Sequence, residues 1–210
     1  MLEVYAFSTP NSVKVPIALE ELRLDYTLHP VNVRAGEQKS LAFAALNANA
    51  KLPVVIDPDA PGGPLTLTES GAILVYLAEK TGKLLPGTGP GRARVFEQLF
   101  LHASGLSPAF GNAGFFRKFA PEPIPLAIER FGNEALRIVG LLDAILARRP
   151  FVAGDALTIA DIAHFGWLWR RQFAEVSLES APNVQRWYDE LEARPAFQRA
   201  VARVTALAEG

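Results

Sequence analysis

Residues 2 to 7 (Leu-Glu-Val-Tyr-Ala-Phe) alternate as a β-strand does, and after a turn at Thr9-Pro10-Asn11-Ser12 the positions Val13, Ile17, Leu19 and Leu22 suggest a helix. Pro16 carries no amide hydrogen, so it fits without strain only in a first helical turn, which puts the helix start near Ser12. Tyr26 to Val33 reads as a second strand and Gln38 to Leu46 as a short helix. Val54 to Ile56 and Leu65 to Leu67 look like paired strands separated by the turn-rich Asp57-Pro58-Asp59-Ala60-Pro61-Gly62-Gly63-Pro64. An apolar helical run (Ile73, Leu74, Leu77, Ala78) follows, and Gly82 stops it.

Beyond Leu85-Pro86-Gly87-Thr88-Gly89-Pro90-Gly91 the pattern is helical almost throughout. Three glycines in that run resemble a phosphate loop, but no Gly-Lys-Ser/Thr follows and two prolines interrupt it, so it reads as a linker. Ile128, Phe131, Ala135, Ile138, Leu142 and Ile145 recur at three and four residues, the stripe of one long core-facing helix. Leu157-Thr158-Ile159-Ala160-Asp161-Ile162 reads as a capping box with Asp161 in place of the usual Glu, opening a buried helix through Trp167 and Trp169. Two shorter helices, around Val184 to Leu191 and Phe197 to Val204, are split by Arg194-Pro195. The expected fold is α+β with two domains. A small mixed-sheet domain of βαβ–ββα order and thioredoxin-like type spans residues 1–82, a linker 83–91, and an all-α helical domain 92–210.

Composition narrows the chemistry. Half of the 210 residues are apolar, enough for a genuine core, and the formal net charge is −1 with no basic block, which argues against nucleic acid and anionic membrane as partners. With no apolar run of membrane-spanning length and no signal-like N-terminus, the expectation is a cytoplasmic protein. The chain has no cysteine, so disulfides, thiolate metal sites and a protein-borne CxxC centre are excluded, and any thiol chemistry must use a sulfur brought by a ligand. His29, His102 and His164 have no ligand-spaced partner, so no metal is expected.

Two segments carry candidate chemistry. Pro53 stands at the mouth of a β-branched strand, where a proline is tolerated; if Leu52-Pro53 were cis, Leu52 would present free backbone groups to an extended peptide, and the ordinary alternative is a trans proline opening a strand. Glu69-Ser70-Gly71 puts a carboxylate, a hydroxyl and free amides at a helix start, which suits an anion, while Glu69 suits an ammonium. A γ-glutamyl group has both charges on one carbon. The plainer reading is that Ser70 or Thr68 is an N-cap.

Together, Lys51-Leu52-Pro53, Glu69-Ser70 and the later Gly154-Asp155-Ala156-Leu157-Thr158-Ile159-Ala160-Asp161 resemble the soluble glutathione transferases over essentially the whole chain. Thr9-Pro10-Asn11, residues 69–82 and Ala127-Ile128-Glu129-Arg130-Phe131 are most similar to the bacterial Nu class. The resemblance implies glutathione as co-substrate, with Leu52 beside cis-Pro53 pairing the cysteinyl unit, Glu69 and Ser70 holding the γ-glutamyl end, and Gln38 and Lys51 facing the glycyl end. It implies Thr9 and Asn11 as the groups that address the sulfur, Arg130 arriving from a partner subunit of a homodimer, and a small electrophile or disulfide as second substrate. Tyr5 and Ser8 are competing sulfur partners; Tyr5 reads as strand core and Ser8 stays an alternative. The chain departs from the class at Ser12-Val13, at Ala48 and over Leu99 to Phe110, a helix expected to line the second-substrate pocket. The expected function is a glutathione transferase with disulfide reductase activity; the alternative is a catalytically silent binding or regulatory protein on the same fold.

Overall fold

The computed structural model describes residues 1–208, and its contacts divide the chain into two compact units: Met1–Lys83 with the stretch from Ala193 onward, and Leu84–Glu192. The first unit holds a four-stranded sheet in the order β2-β1-β3-β4, built from β1 (Leu2–Ala6), β2 (Tyr26–Pro30), β3 (Val54–Asp57) and β4 (Leu65–Thr68). β1 and β2 run parallel, as a βα-crossover requires, and β1–β3 and β3–β4 run antiparallel. This is the mixed sheet expected of a thioredoxin-like domain.

Helix α1 (Lys14–Leu22) packs against α3 (Ser70–Thr81) and against α9 (Pro195–Ala206), so it is buried on most of its circumference, with Val15, Ile17 and Leu19 fully enclosed. The short helix expected at 38–46 is broken in two. A 3-10 turn at Glu37–Lys39 precedes α2 (Leu41–Leu46), because Ser40 takes an extended conformation and accepts the Phe43 amide as an N-cap. Phe43 then joins Val31 and Val54 in a core cluster that also packs Tyr5, Leu46 and Leu52. Gly82 ends α3 in the left-handed region at φ 68°, which a side chain would disfavour.

The second unit is helical: α4 (Gly89–Leu101), α5 (Ser107–Lys118), α6 (Pro125–Leu146), α7 (Ile159–Trp169) and α8 (Pro182–Glu192). A π-helical turn at His102–Leu106 joins α4 to α5. Every residue of α7 from Ile159 to Leu168 is buried. Asp161 accepts the Thr158 amide at 2.9 Å while Thr158 Oγ1 accepts the Ala160 amide at 3.3 Å, the reciprocal cap expected there. Asp143 on α6 caps α8 from outside, accepting the Asn183 and Val184 amides at 2.7 and 3.1 Å.

The expected boundaries shift at both ends. The linker placed at 83–91 is shorter, since Pro90 sits in the first turn of α4 and Leu84 already accepts the Ile159 amide at 3.0 Å within the helical unit. The helical domain placed at 92–210 does not keep its last helix: α9 packs on α1, and Arg194 clasps Glu21 with two bonds of 2.6 and 2.9 Å. The last two residues of that expected domain, 209 and 210, lie outside the described residues.

Candidate functional site

Strand register decides where the site forms. Ala6 pairs with Pro30, Tyr5 with Val54, and Val54 with Thr68. The segments after β1, after β2 and after β4, and the segment before β3, therefore leave the sheet at one end. Those four segments carry Ser8 to Asn11, Gln38, Glu69-Ser70 and Lys51-Leu52.

The turn after β1 is a compact hydrogen-bonded knot. Thr9 Oγ1 lies 2.8 Å from Ser12 Oγ and accepts the Ser12 amide at 3.1 Å, while Ser12 Oγ accepts the Phe7 amide at 3.4 Å. Ser12 is fully buried, so its hydroxyl is the pivot of the turn. With Thr9 donating to Ser12 the Thr9 proton is turned inward; rotation of the two hydroxyls reverses that bond and turns it outward. Asn11 Oδ1 accepts from Lys14 Nζ at 2.8 Å, and the same ammonium donates to Ser70 Oγ at 3.3 Å.

Ser70 is the first residue of α3, not its cap. The cap position is Glu69, whose side chain makes no capping bond and whose backbone lies at φ 65°, ψ 110°. A non-glycine residue held there is strained, and such strain gathers at ligand sites. Glu69 is exposed, and the first amides of α3 have no helical acceptor.

The Leu52–Pro53 peptide is cis. Asn47 shapes the approach to it: its side chain donates to the Lys51 carbonyl at 2.7 Å and accepts the Asn49 amide at 3.0 Å, and Ala50 takes φ 53° between them. Lys51 is exposed, and Gln38 holds a buried Oε1 without a hydrogen-bond partner among the described residues. Tyr5 stacks on His29 with centroids 4.8 Å apart and packs on the core cluster, as a strand residue. Arg130 is an exposed residue of α6 in the helical unit.

Sequence reasoning missed Lys14, Ser12 and Asn47. Lys14 is 1% exposed, and burial pushes its ammonium down to about 7 against the opposing pull of the Glu69 carboxylate. Its only trace in the chain is that it is the one charge between Val13 and Leu19, among apolar residues, which by itself does not tell a buried lysine from a solvent-facing one. Among the described residues no group of three or more His, Cys, Asp or Glu converges as a metal site, and no helix is long and apolar enough to cross a membrane.

The family models for the glutathione S-transferase N-terminal and C-terminal domains match residues 1–79 and 115–195. A curated relative, the disulfide-bond oxidoreductase YfcG of Escherichia coli, is 39% identical over 97% of this chain and 95% of its own length. Among solved structures, a glutathione transferase family member from Pseudomonas fluorescens with two glutathione bound superposes with a TM-score of 0.92 at 40% identity, covering 95% of this chain and 92% of that one. A glutathione transferase from Pseudomonas putida with one glutathione disulfide bound per subunit gives 0.89 at 40% identity, over 95% and 90%. With both domain models and full-length relatives in agreement, the chain belongs to the glutathione transferase family.

Proposed function

We propose that the chain is a glutathione-dependent enzyme that activates the thiol of bound glutathione for disulfide reduction and for conjugation to electrophiles. One observation carries the reading: a single ammonium joins Asn11 in the turn after β1 to Ser70 at the start of α3, so a sulfur-facing group and a carboxylate-facing group share one site. Glu69 and Ser70 take the γ-glutamyl end, Leu52 beside Pro53 the cysteinyl backbone, and Gln38 and Lys51 the glycyl end, with Lys51 as a point charge on its carboxylate. The buried Gln38 Oε1, which lacks a partner among the described residues, is an acceptor and suits an N–H such as the glycyl amide.

A free thiol with pKa about 8.5 is mostly protonated at neutral pH, and the thiolate is the nucleophile. Donors from Thr9 and Asn11, with the positive end of α1 behind them, favour the thiolate. Neither residue is a base; both act by stabilising the anion. The thiolate attacks one sulfur of a substrate disulfide, forming a mixed disulfide and expelling the other half as a thiolate that takes up a proton. A second glutathione thiolate attacks the mixed disulfide, giving glutathione disulfide and the second thiol. The relatives with two glutathiones, or one glutathione disulfide, support room for that pair. In conjugation the same thiolate forms a carbon–sulfur bond as a leaving group departs from an electrophilic carbon.

Arg130 joins the site from the partner subunit of a homodimer in this reading, and the exposed Phe100, Leu126 and Leu136 of α4 and α6 supply apolar surface for assembly. A chain without cysteine that borrows glutathione suits the cytoplasm. Calorimetric titration with reduced and oxidised glutathione, followed by paired assays with an aryl halide and hydroxyethyl disulfide, tests the function. Binding with disulfide turnover is expected; no heat with either form would leave a catalytically silent protein. A monomeric mass by light scattering at micromolar concentration would remove Arg130 from the site.

A further inference from the structure

When charged, Lys14 has only hydrogens to offer, and this fixes what its partners offer in turn. An ammonium accepts nothing, so the Asn11 atom facing it at 2.8 Å is the carbonyl oxygen, and the Asn11 amide hydrogens are left to donate elsewhere. Ser70 Oγ, 3.3 Å from the same nitrogen, is committed as an acceptor, which leaves its own proton to donate elsewhere. Two side chains that could each have donated or accepted thus both become donors. Both are suited to anions: a thiolate at Asn11, a carboxylate at Ser70.

The arrangement is costly. A lysine that is 1% exposed on a helix enclosed by α3 and α9 loses its hydration, and a methionine would fill a similar volume without that penalty. Glu69 is the carboxylate whose field favours the charged form, and burial works against it. An anion arriving at Ser70 adds to the field of Glu69 and holds the ammonium charged. The charged ammonium in turn holds Asn11 with its amide hydrogens left to donate.

We propose that Lys14 is a positioning residue that couples the two ends of bound glutathione, so that capture of the γ-glutamyl carboxylate at Ser70 and stabilisation of the thiolate at Asn11 are one linked event. This rests on the glutathione reading above and names a residue and a linkage within it. In thermodynamic terms the coupling is reciprocal: occupation of the carboxylate subsite lowers the thiol pKa, and thiolate formation tightens the grip on the γ-glutamyl end.

The test is the ultraviolet thiolate band of bound glutathione, titrated against pH in Ser70→Ala, Asn11→Ala and their double variant, each with Lys14 and with Lys14→Met. With Lys14 present, Ser70→Ala is expected to raise the thiol pKa although the γ-glutamyl end, not the sulfur, lies at that hydroxyl, and the two alanine effects are non-additive. Lys14→Met is expected to raise the thiol pKa by about one unit, weaken glutathione about tenfold and make the remaining effects additive, since a hydrogen bond to a charged group carries about that factor. Lys14→Arg should restore part of the shift. An unshifted thiolate midpoint in Lys14→Met, or unchanged coupling, overturns the proposal, because a merely structural lysine would change stability and leave the midpoint. If Lys14→Met does not fold, the cycle in the Lys14 protein decides, and additive effects there overturn it. Absence of any thiolate band or binding heat in the unaltered protein would instead sink the glutathione reading itself.

Discussion

Trp187 of α8 donates its indole hydrogen to Asp161 Oδ1 of α7 at 3.0 Å, so the carboxylate that caps one helix also fixes its neighbour. The same buried side chain accepts the Val152 and Thr158 amides at 2.9 Å and the Thr158 hydroxyl at 3.0 Å. Asp161→Ala leaves these donors buried with no acceptor, and at about 1–3 kcal/mol for each unsatisfied group the loss is roughly 3 kcal/mol or more. Urea unfolding measures it. A loss below about 1 kcal/mol would mean that water or a rearranged backbone replaces the carboxylate.

Helix α9 separates apolar packing from surface charge. Phe197 is fully buried, and Phe197→Ala should cost about 3–5 kcal/mol through lost transfer energy and the cavity left behind. Arg199 donates to Glu20 at 2.8 Å, but its side chain is 57% exposed, and Arg199→Ala should cost about 1 kcal/mol or less because water screens the pair. Equal losses for the two variants would show that the clasp on α1 is electrostatic, contrary to this expectation.

The strands, the hairpin and the capping box were legible because each depends on neighbours in sequence: alternation for Leu2 to Ala6, a turn-rich interval between Asp57 and Pro64, a threonine three residues before Asp161. Glu69-Ser70 and Leu52-Pro53 were legible as a pair of motifs, and register brings both to one end of the sheet. Lys14 was not, since patterning assigns a lysine to solvent and only the enclosure of α1 by α3 and α9 makes it internal. The placement of α9 was hidden for a related reason. Arg194 and Glu21 are 173 positions apart, and nothing local in either segment announces the other.

Acid should loosen α3 from β3. Asp57, at the end of β3, accepts from Tyr76 and from Lys80 of α3, each at 2.6 Å. Burial works to raise the Asp57 pKa, but the Lys80 and Tyr76 hydrogen bonds and the Asp59 amide outweigh it and hold the carboxyl below its ordinary 3.8. A carboxyl with a depressed folded pKa contributes stability that is complete above the unfolded value and is lost as pH falls through the folded one. Stability should therefore fall steadily below about pH 4 in the unaltered protein and less steeply in Asp57→Asn, as followed by thermal unfolding across an acid series. Parallel curves for the two proteins would assign the acid limb to other carboxylates.

Thr9 and Asn11 are expected to govern rate. Loss of one preorganised donor to a developing anion costs roughly a hundredfold in kcat, so Asn11→Ala should lower disulfide turnover by about that much. Thr9→Ala should also lower it, with an added loss of stability because Thr9 Oγ1 accepts the Ser12 amide within the turn. Steady-state assays at saturating glutathione separate rate from affinity. Normal turnover in the double variant would remove both residues from the sulfur.

Glu69 should trade stability against binding. Its backbone sits at φ 65°, a conformation that costs a non-glycine residue on the order of 1–3 kcal/mol and that glycine adopts freely. Glu69→Gly removes that strain, at the cost of a more flexible unfolded chain, and should stabilise the protein by about 1 kcal/mol. It also removes the carboxylate proposed to meet the γ-glutamyl ammonium, and a lost charge-assisted hydrogen bond should weaken glutathione about tenfold or more. Glu69→Gln separates the two effects, since it keeps the strained backbone and loses only the charge: affinity should fall with no gain in melting temperature. If Glu69→Gly bound glutathione as tightly as the unaltered protein, the strained carboxylate would have no part in holding the ligand, and the α3 amides with Ser70 would have to hold the γ-glutamyl end alone.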